Sequence, residues 1–236
     1  MLVRWAFLGR VPYLEALALQ HAAAERVRRG GEGTLLLLEH PPTITLGRHA
    51  DPAHLRLPAA EYQRRNIPVI RVKRGGDVTY HGPGQLVGYP VVSLEAMKLA
   101  VPAWVRANAE SLIDFLATQD VAARWSDAHP GVWVGDDKIA AVGFHIERRV
   151  STHGFALNLG PDIGGFDTIV PCGLRHRGVT SLARFRVPPP PLVQAATEVA
   201  RRLAQRLGWQ LVERSAAEVL SDLASTDGSC HAMLAS

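Results

Sequence analysis

The chain has 236 residues, with 26 Lys and Arg against 22 Asp and Glu, a formal charge of +4, 20% charged residues and 47% hydrophobic ones, a composition ordinary for a soluble globular protein. It is long enough to bury a core without staples, and its two cysteines, Cys172 and Cys230, argue against a disulfide framework and fit a reducing, cytoplasmic setting. No apolar run nears the ~20 residues of a membrane helix, Arg4, Arg10 and Glu15 interrupt any secretory pattern, and no heptads or repeats are visible.

Pro12 suits the first turn of a helix whose apolar positions are Leu14, Leu17, Ala18, His21 and Ala24, closed by Gly30-Gly31. Strands are expected at 34–38, 43–46, 68–72 and 85–92. Pro102 opens a second helix, with Val105, Ala109, Leu112, Phe115 and Leu116 at the helical period. A hairpin over 131–134 and 138–146 turns at Gly135-Asp136-Asp137, and 151–159 reads as its neighbour in a sheet. Four prolines at 188–191 favour an extended segment. Beyond them, Val193, Ala196, Ala200, Leu203 and Leu207 mark an amphipathic helix closed by Gly208. A strand at 209–212 and a short helix at 216–223 follow. Irregular interleaving of helices with hairpin-like strands predicts an α+β fold, not a doubly wound parallel sheet. One domain over 1–236 is expected, its C-terminal helical part at about 191–225.

Three segments can carry chemistry. Residues 74–85 hold four glycines after a strand. Such a loop is either a surface turn or a place where backbone amides approach a ligand. It lacks the lysine and Ser/Thr of a phosphate loop and the pattern of a dinucleotide fingerprint. In the second segment, strict strand alternation would set Lys138 on one face with Ala140, Val142, Phe144 and Ile146. That lysine either reaches water at the rim or lies beside a pocket, where its ammonium suits an anion such as a thiolate. In the third, Cys172 stands between Pro171 and Gly173 in an expected loop, while Cys230 lies in a tail without such a setting. No HExxH, paired CxxC or zinc-type spacing occurs among the ten histidines, so no metal is expected.

The stretches RGGDVTYHGPGQLVGYP (74–90), GVWVGDDKIAAVGFHI (131–146), HGFALNL (153–159) and PCGL with GVTSL (within 171–182) follow one another in order. Together they resemble the lipoyl(octanoyl) transferase family of lipoate biosynthesis, over about 35–182. The resemblance implies the fold of biotin and lipoate protein ligases, a mixed β-sheet with packed helices. It implies transfer of an octanoyl group from octanoyl-acyl carrier protein to a lysine of a lipoyl domain, in 2-oxoacid dehydrogenase complexes or the glycine cleavage H protein. By motif, Cys172 would be the nucleophile that holds the acyl thioester, and Lys138 its activating partner. A nearby cation stabilises a thiolate, whose free pKa is about 8.5, and an amine there can take or give the proton.

The resemblance also assigns an acyl slot. Arg74, Gly75, Gly76, Asp77, Val78, Thr79, Tyr80 and His81 would line it with Ala141, Val142, Gly143, Gly154, Phe155 and Ala156. Small residues there would leave room for a straight chain, or would simply be close-packing residues of a sheet. Thr79, Tyr80 and His81 would bind polar parts or shape the loop. No cofactor is implied, since the donor is already a thioester, and no nucleic-acid or membrane partner is expected. Arg148, Arg149, Arg175, Arg177, Arg184 and Arg186 would form either a docking surface for acidic partners or a solvated basic face. The alternative within the fold is an ATP-dependent lipoate-protein ligase. An alternative of another class is a non-catalytic binder of acyl carrier.

Overall fold

A computed structural model describes residues 1–160, 162–171 and 178–224. Eleven strands and five α-helices follow one another among these residues. They are β1 (Leu2–Arg10), α1 (Tyr13–Arg28), β2 (Gly33–Glu39), β3 (Thr43–Leu46), α2 (Ala59–Arg64), β4 (Val69–Arg71), β5 (Val78–His81) and β6 (Gln85–Val91). Then come α3 (Val101–Ala117), β7 (Arg124–Trp125), β8 (Val132–Val134), β9 (Asp137–Glu147), β10 (Val150–Asn158), α4 (Leu192–Leu207), β11 (Gln210–Glu213) and α5 (Ala216–Ala224).

Eight strands form one sheet in the order β11-β1-β2-β6-β10-β9-β8-β7, and three form a second in the order β4-β3-β5. β1 runs parallel to β11 and β2, and the pairs from β2 to β7 are antiparallel. β2 shows why the large sheet is sandwiched. All seven of its residues are buried. Leu35 and Leu37 enter the core beneath α3 and α4, while Leu36 and Leu38 enter the one beneath α1 and α5. Period-2 alternation thus feeds two apolar layers from one run of leucines. A third core, of Ile44, Leu46, Tyr62, Val78, Tyr80 and Ile169, holds the small sheet. The mixed sheet with helices on both faces is the expected α+β architecture.

The structure alters several details. β1 and α2 were not read from the sequence, and 78–81 is a strand where a loop was expected. It pairs antiparallel with β3, from Thr43↔His81 to Leu46↔Val78. The predicted inner face of α1 is also corrected. Leu14 is 54% exposed and His21 is exposed, whereas Tyr13, Ala16, Leu19, Gln20, Ala22, Ala23, Ala24 and Val27 are buried. Alanines let the helix lie close on the sheet, and buried Gln20 gains a partner there, its Oε1 accepting from the His153 amide at 2.7 Å. Val193, at 52% exposure, likewise leaves the inner face predicted for α4, which Ala196, Ala200 and Leu203 do form. Gly208 closes α4 in the left-handed region at φ 66°, as its position predicts.

The face of Lys138 is corrected too. Trp133 pairs with Lys138 and Val132 with Ala140, so β9 carries one extra residue against β8. This is a bulge, and it turns the strand over locally. Ile139 and Ala140, although consecutive, both enter the α3/α4 core. Lys138 is thereby separated from Ala140, and it lines a cleft with Ala141, Ala156 and Asn158, while with Val142, Phe144 and Ile146 it shares the wall of a larger cavity.

Candidate active site

A cavity of about 540 Å³ lies against β9 and β10. It is lined by Arg74, Gly75, Gly76, Asp77, Val78, Thr79 and His81, by Lys138, Ala141, Val142 and Gly143, and by Gly154, Phe155 and Ala156. Pro171 and Val179 of the third segment line a cleft with Lys138, while the glycine loop, the lysine hairpin and the HGFALNL strand converge here. Tyr80 is the exception. Alternation along β5 carries it into the third core, edge-on to Phe166 at 5.5 Å. The cavity opens beside β9 because β8 is three residues long and pairs with β9 only as far as Ala140. Past that point the glycine loop stands in, and the Gly75 amide donates to the Phe144 carbonyl at 2.9 Å.

Arg74 fixes this loop and is buried. Its Nε donates to Thr45 Oγ1 at 3.0 Å, and its Nη2 donates to the Thr45 carbonyl at 2.7 Å. Gly76 sits at φ 85°, and the loop runs so close to β3 that a Cβ on Gly47 would fall 2.3 Å from the Gly76 carbonyl oxygen. Asp77 turns to the 51–54 turn, with Oδ2 2.6 Å from His54 Nδ1 and Oδ1 accepting from the Asp51 amide at 3.2 Å. The small residues of the slot also have a role beyond leaving space. A Cβ on Gly154 would meet the Gly88 carbonyl oxygen at 2.0 Å, and one on Gly143 the Gly75 carbonyl oxygen at 2.8 Å. At these two positions glycine admits neighbouring backbone, not a chain.

Lys138 is 7% exposed. Its ammonium donates to the Pro130 carbonyl at 3.2 Å and lies 5.0 Å from the centre of the Trp133 ring, a cation–π geometry. The GVTSL stretch grips its backbone. The Lys138 amide donates to the Gly178 carbonyl at 3.0 Å, and the Thr180 amide donates to the Lys138 carbonyl at 3.0 Å. Asn158 holds that stretch from behind. Its Nδ2 donates to the Thr180 carbonyl at 3.0 Å, and its Oδ1 accepts from Gln85 Nε2 at 2.9 Å. Gln85 Nε2 also donates to the Tyr80 carbonyl at 3.2 Å. Its Oε1 is therefore the acceptor for His81 Nδ1 at 2.8 Å, which sets the proton of that ring on Nδ1. A chain of polar contacts thus runs from Thr180 through Asn158, Gln85 and His81 to Thr45 and Arg74.

Behind it lies a buried aromatic and imidazole group that the sequence reading missed: Tyr13, His40, Tyr89 and His153. Tyr13 stacks on His81 at 5.6 Å and tilts on His40 at 5.0 Å. His40 Nδ1 donates to the Val11 carbonyl at 2.6 Å, so its Nε2 accepts from the Tyr89 hydroxyl at 2.7 Å. Burial holds His40 down at about 4. Burial and then the Arg74 cation hold His153 at about 3, and burial, aided by His40, keeps His81 well below its ordinary value. Burial pushes Tyr13 up to about 12 and Tyr89 well above its usual range. The group is neutral around pH 7 and offers hydrogen bonds without charge. The signal available for it was polar residues inside otherwise apolar strands, as in HGFALNL.

Cys172, with Arg175 and Arg177, lies outside the described residues, as does Cys230. The chain on either side of 172–177 meets Lys138. Pro171 and Val179 line one cleft with Lys138, Thr79 and Asn158, and Gly178 accepts the Lys138 amide. Among the described residues no group of three or more His, Cys, Asp or Glu could hold a metal ion, and no helix is long and apolar enough to cross a membrane.

A family model described as the lipoyl protein ligase A/B catalytic domain matches residues 12–204. The chain is 42% identical over 208 residues to an octanoyltransferase of Alkaliphilus metalliredigens, covering 87% of this chain and 95% of that one. It is 46% identical over 206 residues to an octanoyltransferase of Chloroflexus aurantiacus, covering 86% and 91%. Among solved structures it resembles lipoate-protein ligase A bound with ATP, at a TM-score of 0.78, 19% identity and coverage of 95% and 93%. It also resembles a lipoate protein ligase of T. acidophilum with bound lipoic acid, at a TM-score of 0.75, 16% identity and 95% coverage of each chain. The last two comparisons show the fold.

Proposed function

The chain belongs to the lipoyl protein ligase A/B catalytic-domain family, and from that premise we propose that it moves an octanoyl group from octanoyl-acyl carrier protein to a lysine of a lipoyl domain through a thioester on Cys172. It is an acyltransferase, as are the octanoyltransferases to which it is 42–46% identical. The observation that carries the finer reading is the setting of Lys138. A buried ammonium stands at the head of an acyl-sized cavity, its backbone bonded to residues 178 and 180 on one side of 172–177, with Pro171 on the other side lining a cleft with it.

In this reading the Cys172 thiolate attacks the carrier thioester, a new carbon–sulfur bond forms, and the carrier thiol leaves. One thioester replaces another, so the step is near balance. The amine of the acceptor lysine then attacks the Cys172 thioester, an amide forms, and the cysteine thiol is released, which runs downhill. Lys138 holds its ammonium against the thiolate and exchanges the protons that the thiols and the amine gain and lose. Burying about six methylenes of the octanoyl chain at ~0.8 kcal/mol each offers roughly 5 kcal/mol of binding, and the 540 Å³ cavity has the volume for it. The neutral His and Tyr group beneath the slot adds no charge that would oppose an apolar chain.

Mass spectrometry after incubation with octanoyl-carrier protein tests this directly. An octanoyl adduct is expected on Cys172, and transfer to a lipoyl domain is expected without ATP. A Cys172→Ser protein that transfers as fast as its parent would refute the covalent route. An ATP requirement would move the chain to the ligases.

A further inference from the structure

Outside the glycine loop, on the side away from the acyl cavity, lies an open groove of about 570 Å³ lined by Gly47, Arg48, Arg71, Lys73, His145 and Glu147. Arg48, Arg71 and Lys73 are exposed, and none has an ion-pair partner among the described residues. Several other arginines are paired, as Arg206 is with Glu110 and Asp114, and Arg106 with Glu110 and Asp127, while exposed Arg148, Arg149, Arg184 and Arg186 also lack an ion-pair partner among the described residues but do not line this groove. The single carboxylate in the groove, Glu147, is engaged by Arg28 at 3.0 Å. Burial, and then the cations of Lys73, Arg48 and Arg28 against the opposing pull of Glu147, hold the His145 imidazole below its ordinary value.

Groove and cavity share a wall. Lys73 faces out of the loop while its neighbour Arg74 is buried and lines the cavity. Along β9, His145 and Glu147 line the groove while Ile146 lines the cavity. We propose that this groove of Arg48, Arg71 and Lys73 is the docking surface for the acidic acyl donor, a carrier domain whose acyl group hangs on a long phosphodiester-linked arm. The inference rests on the acyl-transfer reading above and adds to it where the donor sits.

Reach selects the donor over the acceptor. The seven residues from Lys138 to His145 span about 23 Å of strand. An acceptor lysine on its four-carbon stem covers only a fraction of that, so its domain must sit over Lys138 itself. A phosphopantetheine arm is several times longer than a lysine stem, and it carries a phosphate that suits arginine and lysine. Arg148 and Arg149 sit farther still, beyond the β9 end.

The test compares two octanoyl donors in the first half-reaction, octanoyl-carrier protein and octanoyl-pantetheine, which lacks both protein and phosphate. The triple variant Arg48→Gln, Arg71→Gln, Lys73→Gln should raise KM for the carrier protein about tenfold or more. It should leave kcat/KM for octanoyl-pantetheine within about twofold and KM for the lipoyl domain unchanged. In the unaltered protein, kcat/KM with the carrier should fall steeply with salt, and with octanoyl-pantetheine it should stay flat. That second measurement needs no variant to fold. An unchanged carrier KM overturns the inference, as does a salt-independent carrier reaction. A rise in KM for the lipoyl domain instead assigns the groove to the acceptor and also overturns it. If the unaltered protein accepts octanoyl from neither donor, the acyl-transfer reading itself has failed.

Discussion

Replacing Asn158 with Ala removes the clasp behind the lysine. Two buried contacts disappear, from Nδ2 to the Thr180 carbonyl at 3.0 Å and from Gln85 Nε2 to Oδ1 at 2.9 Å. Each stranded buried group costs about 1–3 kcal/mol. Gln85 keeps its bond to the Tyr80 carbonyl at 3.2 Å, so its share lies at the low end. The sum is about 3 kcal/mol. For a chain of 236 residues this lowers Tm by about 6–12 °C. Urea unfolding measures the first figure and calorimetry the second. Amide exchange adds a local readout, because the Thr180 amide donates to the Lys138 carbonyl. It should exchange faster in the variant than amides of β2 do. A loss below about 1 kcal/mol, with Thr180 still protected, would show that the grip on Lys138 does not depend on Asn158. A double-mutant cycle with Gln85→Ala should give a coupling of about 1 kcal/mol.

Leu14→Lys on α1 should change stability by no more than about 0.5 kcal/mol, whereas Ala23→Leu on the same helix should cost about 1–3 kcal/mol through overpacking. The reverse order in chemical denaturation would restore the face expected from the sequence. Gly154→Ala drives a Cβ to 2.0 Å from the Gly88 carbonyl oxygen, and should cost about 3 kcal/mol; a thermal melt coinciding with that of the parent contradicts this. Stability should also fall with acid. His40 and His153 are held at about 4 and about 3, so between there and pH 6.5 the unfolded chain binds protons that the folded one does not. Stability is present above pH 6.5 and declines as pH drops, by up to about 1.4 kcal/mol per pH unit for each group. Unfolding curves of His40→Gln from pH 7 to 4.5 should show a shallower slope than the parent; equal slopes would mean that His40 is not buried neutral.

Much of this was legible because it depends on local chemistry. Glycine at 208 ends α4, proline starts α3, and three of the four ordered motifs meet at one cavity, with Pro171 and Val179 of the fourth at the cleft beside Lys138. What escaped depends on packing. Alternation set Lys138 on one face with Ala140, and a bulge parts the two, because a bulge is set by two strands together and leaves no mark on either alone. The inner face of α1 was misjudged because alanines, not leucines, approach the sheet. Tyr80 was grouped with its neighbours in the glycine loop, yet β5 sends it to the opposite side. The buried histidines looked scattered, since residue 40 follows β2, residue 81 ends β5 in the small sheet and residue 153 lies on β10, and only the packing of the two sheets makes them neighbours.

The placement of β1 between β2 and β11 bears on how the chain is made. Leu2 to Trp5 pair with Gln210 to Glu213, across nearly the whole sequence. During synthesis β2 emerges soon after β1 and can cover one of its edges. The other edge, and Trp5 with it, waits for the C-terminal strand, which leaves the ribosome about 200 residues later, or about 10–40 s at 5–20 residues per second. An open strand edge is a template for pairing with other chains. A stalled or truncated product lacking β11 therefore keeps that edge open, and the yield of folded protein should depend on how quickly the last strand is delivered.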